Sequence, residues 1–489
     1  MNYRMISSSI GRLLQVAALF MLLPLLVSVC YGEGSSLYAV YIAVTSVLLV
    51  IGTILTLFKP KNRRIFAKEG FVIVALSWIL MAFFGSLPFY LSGAIPRFTD
   101  AIFETVSGFT TTGASILIDI ESLPKSMLFW RSFTHWIGGM GVIVFVLAIL
   151  PQKETRSMHI MRAEIPGPTV GKLVSKTMLT ARILYYFYTV ITLIEALVLY
   201  LGNTPFFDSI TIAFSTAGTG GFAIKNASIA AYNSLYIEVV VSLFMIIFGI
   251  NFNLFYLVWI RQAKRAFKSE EFRVYISIIV VSTVTIVCNI LPSVNSIGAA
   301  LRQAGFTVTS IISTTGFVTA DFQLWPTFSK CVIIALMFVG GMAGSTGGGL
   351  KVARIIILFK SAFREILRAI RPNSVKCIKL DGAVIDDKTV STVNSYFVIY
   401  MVVIAVSTAL ISFNNLDFTS TLSSVITCVN NVGPGLNAVG PTSNFSSLTD
   451  FSKIVLTLDM LIGRLEIFPL IVLFSPATWK KIHNTKRAI

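Results

Sequence analysis

Long apolar runs alternate with short, polar, glycine-centred segments along nearly the whole chain. A bilayer core about 30 Å thick takes roughly 20 helical residues to cross. Runs near that length predict ten spans, at 12–31, 38–58, 70–92, 128–150, 183–202, 236–260, 274–292, 330–358, 391–412 and 453–479. Four polar segments interrupt them: TVSGFTTTGAS (Thr105–Ser115), AFSTAGTGGFA (Ala213–Ala223), VTSIISTTGFV (Val308–Val318) and VITCVNNVGPG (Val425–Gly435). Each leads through Ser, Thr or Asn into a glycine: Gly113, Gly220, Gly316 and Gly433.

Those glycines lie 107, 96 and 117 residues apart, as in diverged internal repeats. A short run precedes each, such as Phe98 to Val106 or Phe206 to Phe214, too brief to span and suited to a half-membrane helix. The expectation is an all-α membrane protein. It has four helix–pore loop–helix repeats in a pseudo-fourfold arrangement, plus two N-terminal transmembrane helices. The expected boundaries are 1–69 for the N-terminal pair, then repeats at 70–182, 183–273, 274–390 and 391–489, the last with a cytoplasmic tail.

Irregular backbone at membrane depth is tolerated only where protein covers it or a watery cavity borders it. Turning successive carbonyls toward one axis requires positive φ at some residues, which glycine reaches at little cost. Rings of such carbonyls replace the water shell of a dehydrated cation. Four copies therefore predict an ion-conducting pore, whereas a single copy reads better as a plain extracellular loop.

Composition agrees. The 489 residues are 55% hydrophobic and 12% charged, with mean hydropathy +0.81, outside the range of soluble domains. The net charge of +17 would fit a nucleic-acid partner if it were clustered differently. Bases instead crowd alternate loops, at 59–68, 153–176, 261–273, 351–379 and 480–487, while Asp100, Asp119, Glu121, Asp208, Asp321 and Asp417 mark the opposite side. This positive-inside bias places both termini in the cytoplasm and predicts no nucleic acid. The first apolar run lacks a cleavage site and is read as a span. Cys30, Cys288, Cys331, Cys377 and Cys428 have no paired spacing and are expected to be small buried residues. His135, His159 and His483 show no metal spacing, and no catalytic motif or phosphate loop occurs, so no enzyme is expected.

Two features suggest control of the pore. GGMAGSTGGGL places six glycines between Gly340 and Gly349, and each costs a helix about 1 kcal/mol relative to Ala. The segment reads as a flexible turn or as an intramembrane gate of Gly344, Ser345, Thr346, Gly347, Gly348 and Gly349, followed by Lys351 and Arg354. Arg464 falls roughly 16 Å from one end of its span and 22 Å from the other, if that span is one helix. An arginine there faces a cavity or a partner. Glu466 and Asp459 are candidate partners; a gating role is the other reading, and the two are compatible.

The chain resembles the TrkH/KtrB/HKT superfamily of potassium transporters over nearly its whole length. The likeness rests on SGFTTTGAS, WRSFTHWIGGMGVIVF (Trp130–Phe145), STAGTGGF, GGMAGSTGGGLKVARI (Gly340–Ile355), NNVGPG and GRLEIFP (Gly463–Pro469). The two extra N-terminal spans look like the TrkH branch. The resemblance implies potassium as the transported ion and a bacterial plasma (inner) membrane location. It also implies a homodimer with one pore per protomer and a cytosolic nucleotide-binding ring of the TrkA or KtrA type. Potassium would be held by carbonyls of Thr111, Thr112 and Gly113; Gly218, Thr219 and Gly220; Thr314, Thr315 and Gly316; and Asn431, Val432 and Gly433. The fourth segment departs most, with Asn430 and Asn431 in place of hydroxyls, Pro434 following, and Gly435 as an alternative to Gly433. The resemblance also favours the gating reading of the glycine-rich segment. A proton- or sodium-coupled secondary transporter of another small solute is the alternative, although such proteins usually carry inverted repeats.

Overall fold

The computed structural model describes residues 1–58, 67–141, 177–373 and 376–479. The basic segments at 59–66, 153–176 and 480–487, with His159 and His483, lie outside the described residues. Among the described residues the regular elements are helices, apart from a hairpin of two two-residue strands, β1 (Lys379–Leu380) with β2 (Ala383–Val384). It is a multi-pass membrane protein.

Helices α1 (Tyr3–Tyr31) and α2 (Ser35–Leu57) form an antiparallel pair. They cross where Gly11 and Gly52 meet, with room at each for no side chain beyond hydrogen. Close approach of small residues compensates in lipid for the missing hydrophobic drive between helices.

The order long helix, short helix, return segment, inner helix then recurs four times. The long helices are α3 (Ala67–Leu91), α6 (Thr177–Leu201), α11 (Glu270–Val294) and α15 (Asp387–Ile411). The short ones are α4 (Phe98–Phe109), α7 (Phe206–Gly218), α12 (Ile297–Ile312) and α16 (Phe418–Asn430). At about 1.5 Å per residue none of the short helices crosses a bilayer, as their apolar runs predict. The inner helices are α5 (Lys125–Gly139), α8 (Leu235–Phe248), α13 (Thr327–Val339) and α17 (Asp450–Arg464). Between α8 and α11 lie α9 (Phe252–Trp259) and α10 (Ala263–Lys268); α14 (Val352–Ile370) follows the glycine-rich segment, and α18 (Phe468–Phe474) follows α17.

The first, second and fourth inner helices correct the expectation of continuous spans; the third stops where the glycine-rich segment begins, as its composition predicts. Each stops after 13 to 15 residues. Helix α5 ends before Gly141 at φ +82°, and α13 ends at Gly340 at φ +59°. Helix α8 breaks at residues 249–251, and α9 leaves at 91° to it. Helix α17 ends in Glu466 and Ile467 at φ +56° and +67°. That conformation is strained for a β-branched residue, and tight packing around the buried Ile467 holds it. Among the described residues, six helices (α1, α2, α3, α6, α11 and α15) are long and apolar enough to cross a membrane alone. The run-length reading of ten spans joined pieces that glycine or strained turns separate.

The cysteine reading also needs correction. Only Cys428 is buried; Cys30, Cys288, Cys331 and Cys377 lie on the outside. A thiol behaves as a small hydrophobe, so on α1, α11 and α13 hydrocarbon accommodates it as well as a protein core does; Cys377 lies beside the β1–β2 hairpin.

Candidate functional site

The four return segments share one backbone signature. One or two residues past each short helix a residue is left-handed although it is not glycine: Thr111, Thr219, Thr314 and Asn431 have φ between +54° and +58°. Two residues on, Gly113, Gly221, Gly316 and Gly433 have φ of +79°, +75°, +82° and +101°. The residue between does not have positive φ, so handedness alternates and successive carbonyls turn to the same side of the strand. The sequence reading of the second copy is therefore displaced by one. Gly221, not Gly220, matches Gly113, and the equivalent triplet is Thr219–Gly220–Gly221 rather than Gly218–Thr219–Gly220. In the fourth copy Gly433 takes the position and Gly435 does not.

These glycines face one another. A methyl group at Gly113 would overlap the carbonyl oxygen of Gly220; at Gly221, that of Thr315; at Gly316, that of Val432. At Gly433 it would meet the carbonyl oxygen of Thr112 at 2.7 Å. The contacts close a circuit, first segment to second, third, fourth and back to first. All four glycines border a single outward-opening cavity of about 230 Å³.

Polar bonds hold the circuit from behind. Thr110 and Thr112 hydroxyls pair at 2.8 Å, and Ser313 and Thr315 repeat the arrangement at 2.7 Å. Asn431 Nδ2 donates to Thr112 Oγ1 at 2.9 Å and to the Met460 carbonyl at 3.0 Å, tying the fourth segment to the first and to α17. His135 backs the second segment: its ring stacks on Phe222 with centroids 4.2 Å apart, and Phe222 N donates to Nδ1 at 3.4 Å. A lone histidine without metal spacing carried no sequence signal for that role.

Nor did Glu104 and Arg131, which are buried together at the cavity edge. Arg131 Nε donates to Glu104 Oε1 at 2.8 Å, and Nη1 to the Ala223 carbonyl at 3.0 Å. Glu104 also accepts from Ser115 Oγ at 3.0 Å and Ile116 N at 3.0 Å. The pair joins α4, α5 and two return segments. Removing one member leaves an uncompensated charge, which costs about 3–5 kcal/mol in a buried setting. Glu104→Ala is therefore expected to lower the thermal midpoint in detergent by several degrees or to prevent folding; an unchanged midpoint would show that Arg131 finds another anion. On the outer rim, Asp417 caps α16, and the Ser420 hydroxyl bonded to it holds its carboxyl below the usual range. That support is present at neutral pH and is lost as pH falls through the depressed pKa.

Beneath the segments, residues 340–351 form a loop whose bonds reach all around. Met342 N donates to the Gly249 carbonyl at 3.0 Å, Thr346 Oγ1 to that of Phe248 at 3.2 Å, and Phe252 N to that of Gly344 at 3.1 Å. The loop thus satisfies backbone groups orphaned where α8 breaks. Gly348 N donates to Thr314 Oγ1 at 2.6 Å, with Gly348 pressed against the Asn430 carbonyl. Ser345 Oγ donates to Met342 O at 2.7 Å, Gly344 and Gly349 have positive φ, and Lys351 Nζ donates to the Gly347 carbonyl.

Arg464 lies at this level, at the end of a short helix rather than midway along a continuous one. Its Nη2 donates to the carbonyls of Gly138 (2.5 Å) and Gly139 (2.7 Å), the last of α5, and Nη1 donates to Thr346 O at 2.8 Å. A cation suits the negative end of a helix. The acids named for it are engaged elsewhere: Glu466 pairs with Arg354, and Asp459 accepts from Ser407 Oγ at 2.7 Å. The structure therefore brings every predicted gate residue into one cluster below the return segments.

Residues 39–481 match the TrkH family, described as a cation transport protein. The chain belongs to the TrkH family. It is 38% identical to the Trk system potassium uptake protein TrkH of Salmonella typhimurium, over 98% of this chain and 100% of that one. Its identity to the protein of the same name from Escherichia coli K12 is 37%, with the same coverage. The crystal structure of the potassium transporter TrkH from Vibrio parahaemolyticus superposes with TM-score 0.87 at 34% identity, covering 98% of this chain and 100% of that chain.

Proposed function

We propose that this protein carries potassium into the cell across the bacterial inner membrane. It does so through a pore formed by the four units in pseudo-fourfold arrangement around one axis. The observation that carries this reading is the meeting of Gly113, Gly221, Gly316 and Gly433 around one cavity with matched backbone handedness. Carbonyls of Thr111, Thr112 and Gly113, of Thr219, Gly220 and Gly221, of Thr314, Thr315 and Gly316, and of Asn431, Val432 and Gly433 replace the ion's hydration shell. Gly218 closes the short helix α7 just before that line. The short helices point their carbonyl-bearing ends toward the ring, which favours a cation there. The loop 340–351 and Arg464 form the gate below. Opening is controlled by a cytosolic nucleotide-binding ring of the TrkA or KtrA type acting on a homodimer, with the basic loops and both termini on the cytoplasmic side. The relatives' names, as potassium uptake proteins of a Trk system, support the choice of ion and a multi-component assembly.

Reconstituted into liposomes, the purified protein is expected to pass potassium and rubidium down their gradients, sodium more slowly, and an organic solute such as proline not at all. Uptake of the organic solute, or potassium movement only with an imposed proton or sodium gradient, would favour the coupled secondary transporter.

A further inference from the structure

The glycine-rich loop is held from the cytoplasmic side by a residue that the reading above leaves without a task. Glu271 lies in the first turn of α11 and is 6% exposed. Its Oε1 accepts from Ala343 N at 2.7 Å and from Ala353 N at 3.0 Å. Ala343 is inside the loop, and Ala353 is in the first turn of α14 just beyond it. One carboxylate oxygen therefore pins the loop to the helix that follows.

The physical reason is local. Helix α14 begins after Lys351, which gives it no side-chain cap. The Gly341 carbonyl takes Val352 N at 3.2 Å, but Ala353 N, at the positive end of the dipole, needs an acceptor from outside the helix. Glu271 supplies that acceptor from some 80 residues away in sequence. A charged acceptor to backbone N–H makes the stronger class of hydrogen bond.

The chain of bonds continues outward. Helix α11 likewise lacks a cap from its own Ser269. Asp381, at the turn of the β1–β2 hairpin, takes that place: Glu270 N donates to its Oδ1 at 2.5 Å, and Ser269 Oγ to Oδ2 at 3.4 Å. Lys360 of α14 fastens the same corner, pairing with Glu270 at 2.5 Å and donating to the Lys379 carbonyl at 2.8 Å. The hairpin itself is exposed, from Asp381 through Val384.

We propose that Glu271 is the latch of the gate loop, and that the cytoplasmic hairpin sets the latch through Asp381. Displacing the hairpin withdraws the cap from α11, moves its first turn, and takes Glu271 away from both amides. The loop is then free to leave the pore axis. Glu271 is a positioning residue: it touches the loop and not the ion. The proposal rests on the reading of residues 340–351 as a gate.

The test is rubidium flux through the full chain in liposomes without any partner, comparing wild type with Glu271→Ala, Glu271→Gln, Asp381→Ala, Arg464→Ala and the Glu271→Ala/Asp381→Ala double variant. Loss of charge-assisted bonds to the loop should raise flux about tenfold in Glu271→Ala, with a smaller rise in Glu271→Gln. Potassium-over-sodium preference should be unchanged, and faster amide exchange should be confined to 340–353, which general loosening would not produce. Asp381→Ala should act in the same direction and add nothing in the double variant, since both break one chain of bonds. Wild-type flux in folded Glu271→Ala and Glu271→Gln, lost ion preference, or additive effects would each overturn the latch. If Arg464→Ala raises flux and the Glu271 variants do not, the gate stands and only the latch falls. If none of them changes a conducting wild type, the gate reading falls with it.

Discussion

Replacing Gly113 with alanine is expected to abolish rubidium uptake while leaving the protein folded. Two costs act together at this position. The backbone sits at φ +79°, and holding an L-residue in such a region costs roughly 1–3 kcal/mol. The added methyl would also overlap the carbonyl oxygen of Gly220 and come within 3.7 Å of that of Thr315, so it lies inside the ring proposed as the ion path. Relief requires the second segment to move, which turns its carbonyls off the axis. Gly221→Ala, Gly316→Ala and Gly433→Ala should fail for the same reason. Gly220→Ala provides a contrast: Gly220 lacks positive φ, and its methyl would strike the His135 ring instead. Tracer uptake at matched reconstituted amounts decides the matter, and wild-type flux in Gly113→Ala would remove these glycines from the pore.

Arg464→Ala is expected to do the opposite and raise flux without the partner by about tenfold or more, the scale on which loss of charged hydrogen bonds shifts a closed–open equilibrium. The guanidinium joins the end of α5, at the Gly138 and Gly139 carbonyls, to the loop at Thr346. Its removal leaves those carbonyls short of donors and unties the loop from α17. On the proposed reading it also deletes a fixed positive charge from the path of a cation. Arg464→Lys should give an intermediate flux, because an ammonium keeps the charge but lacks the planar fork that reaches several carbonyls at once. Single-channel or stopped-flow flux measurements on the two variants separate the charge from the tether. Flux at the wild-type level in both would leave Arg464 a structural cap for α5.

Much of the candidate site was legible because its signals are local. Positive φ at a crowded position selects glycine, so Gly113, Gly316, Gly433 and the cluster from Gly340 to Gly349 stand out in any apolar chain. The second copy misled by one residue because STAGTGGF offers three glycines and composition does not say which one carries the turn. The inner spans misled because hydropathy averages over about 20 residues, and the breaks at 249–251 and at Glu466–Ile467 are too short to lower that average.

The sequence by itself determined that this is a membrane protein with four polar, glycine-centred interruptions, since burial in hydrocarbon and backbone handedness act on each stretch separately. Tertiary structure alone decided the partners. Arg131 with Glu104, His135 behind Phe222, Arg464 across the end of α5, and Glu271 on two amides far along the chain are contacts between distant segments. A buried charge or an orphaned helix end needs some partner, but which residue supplies it follows only from the packing that brings the helices together.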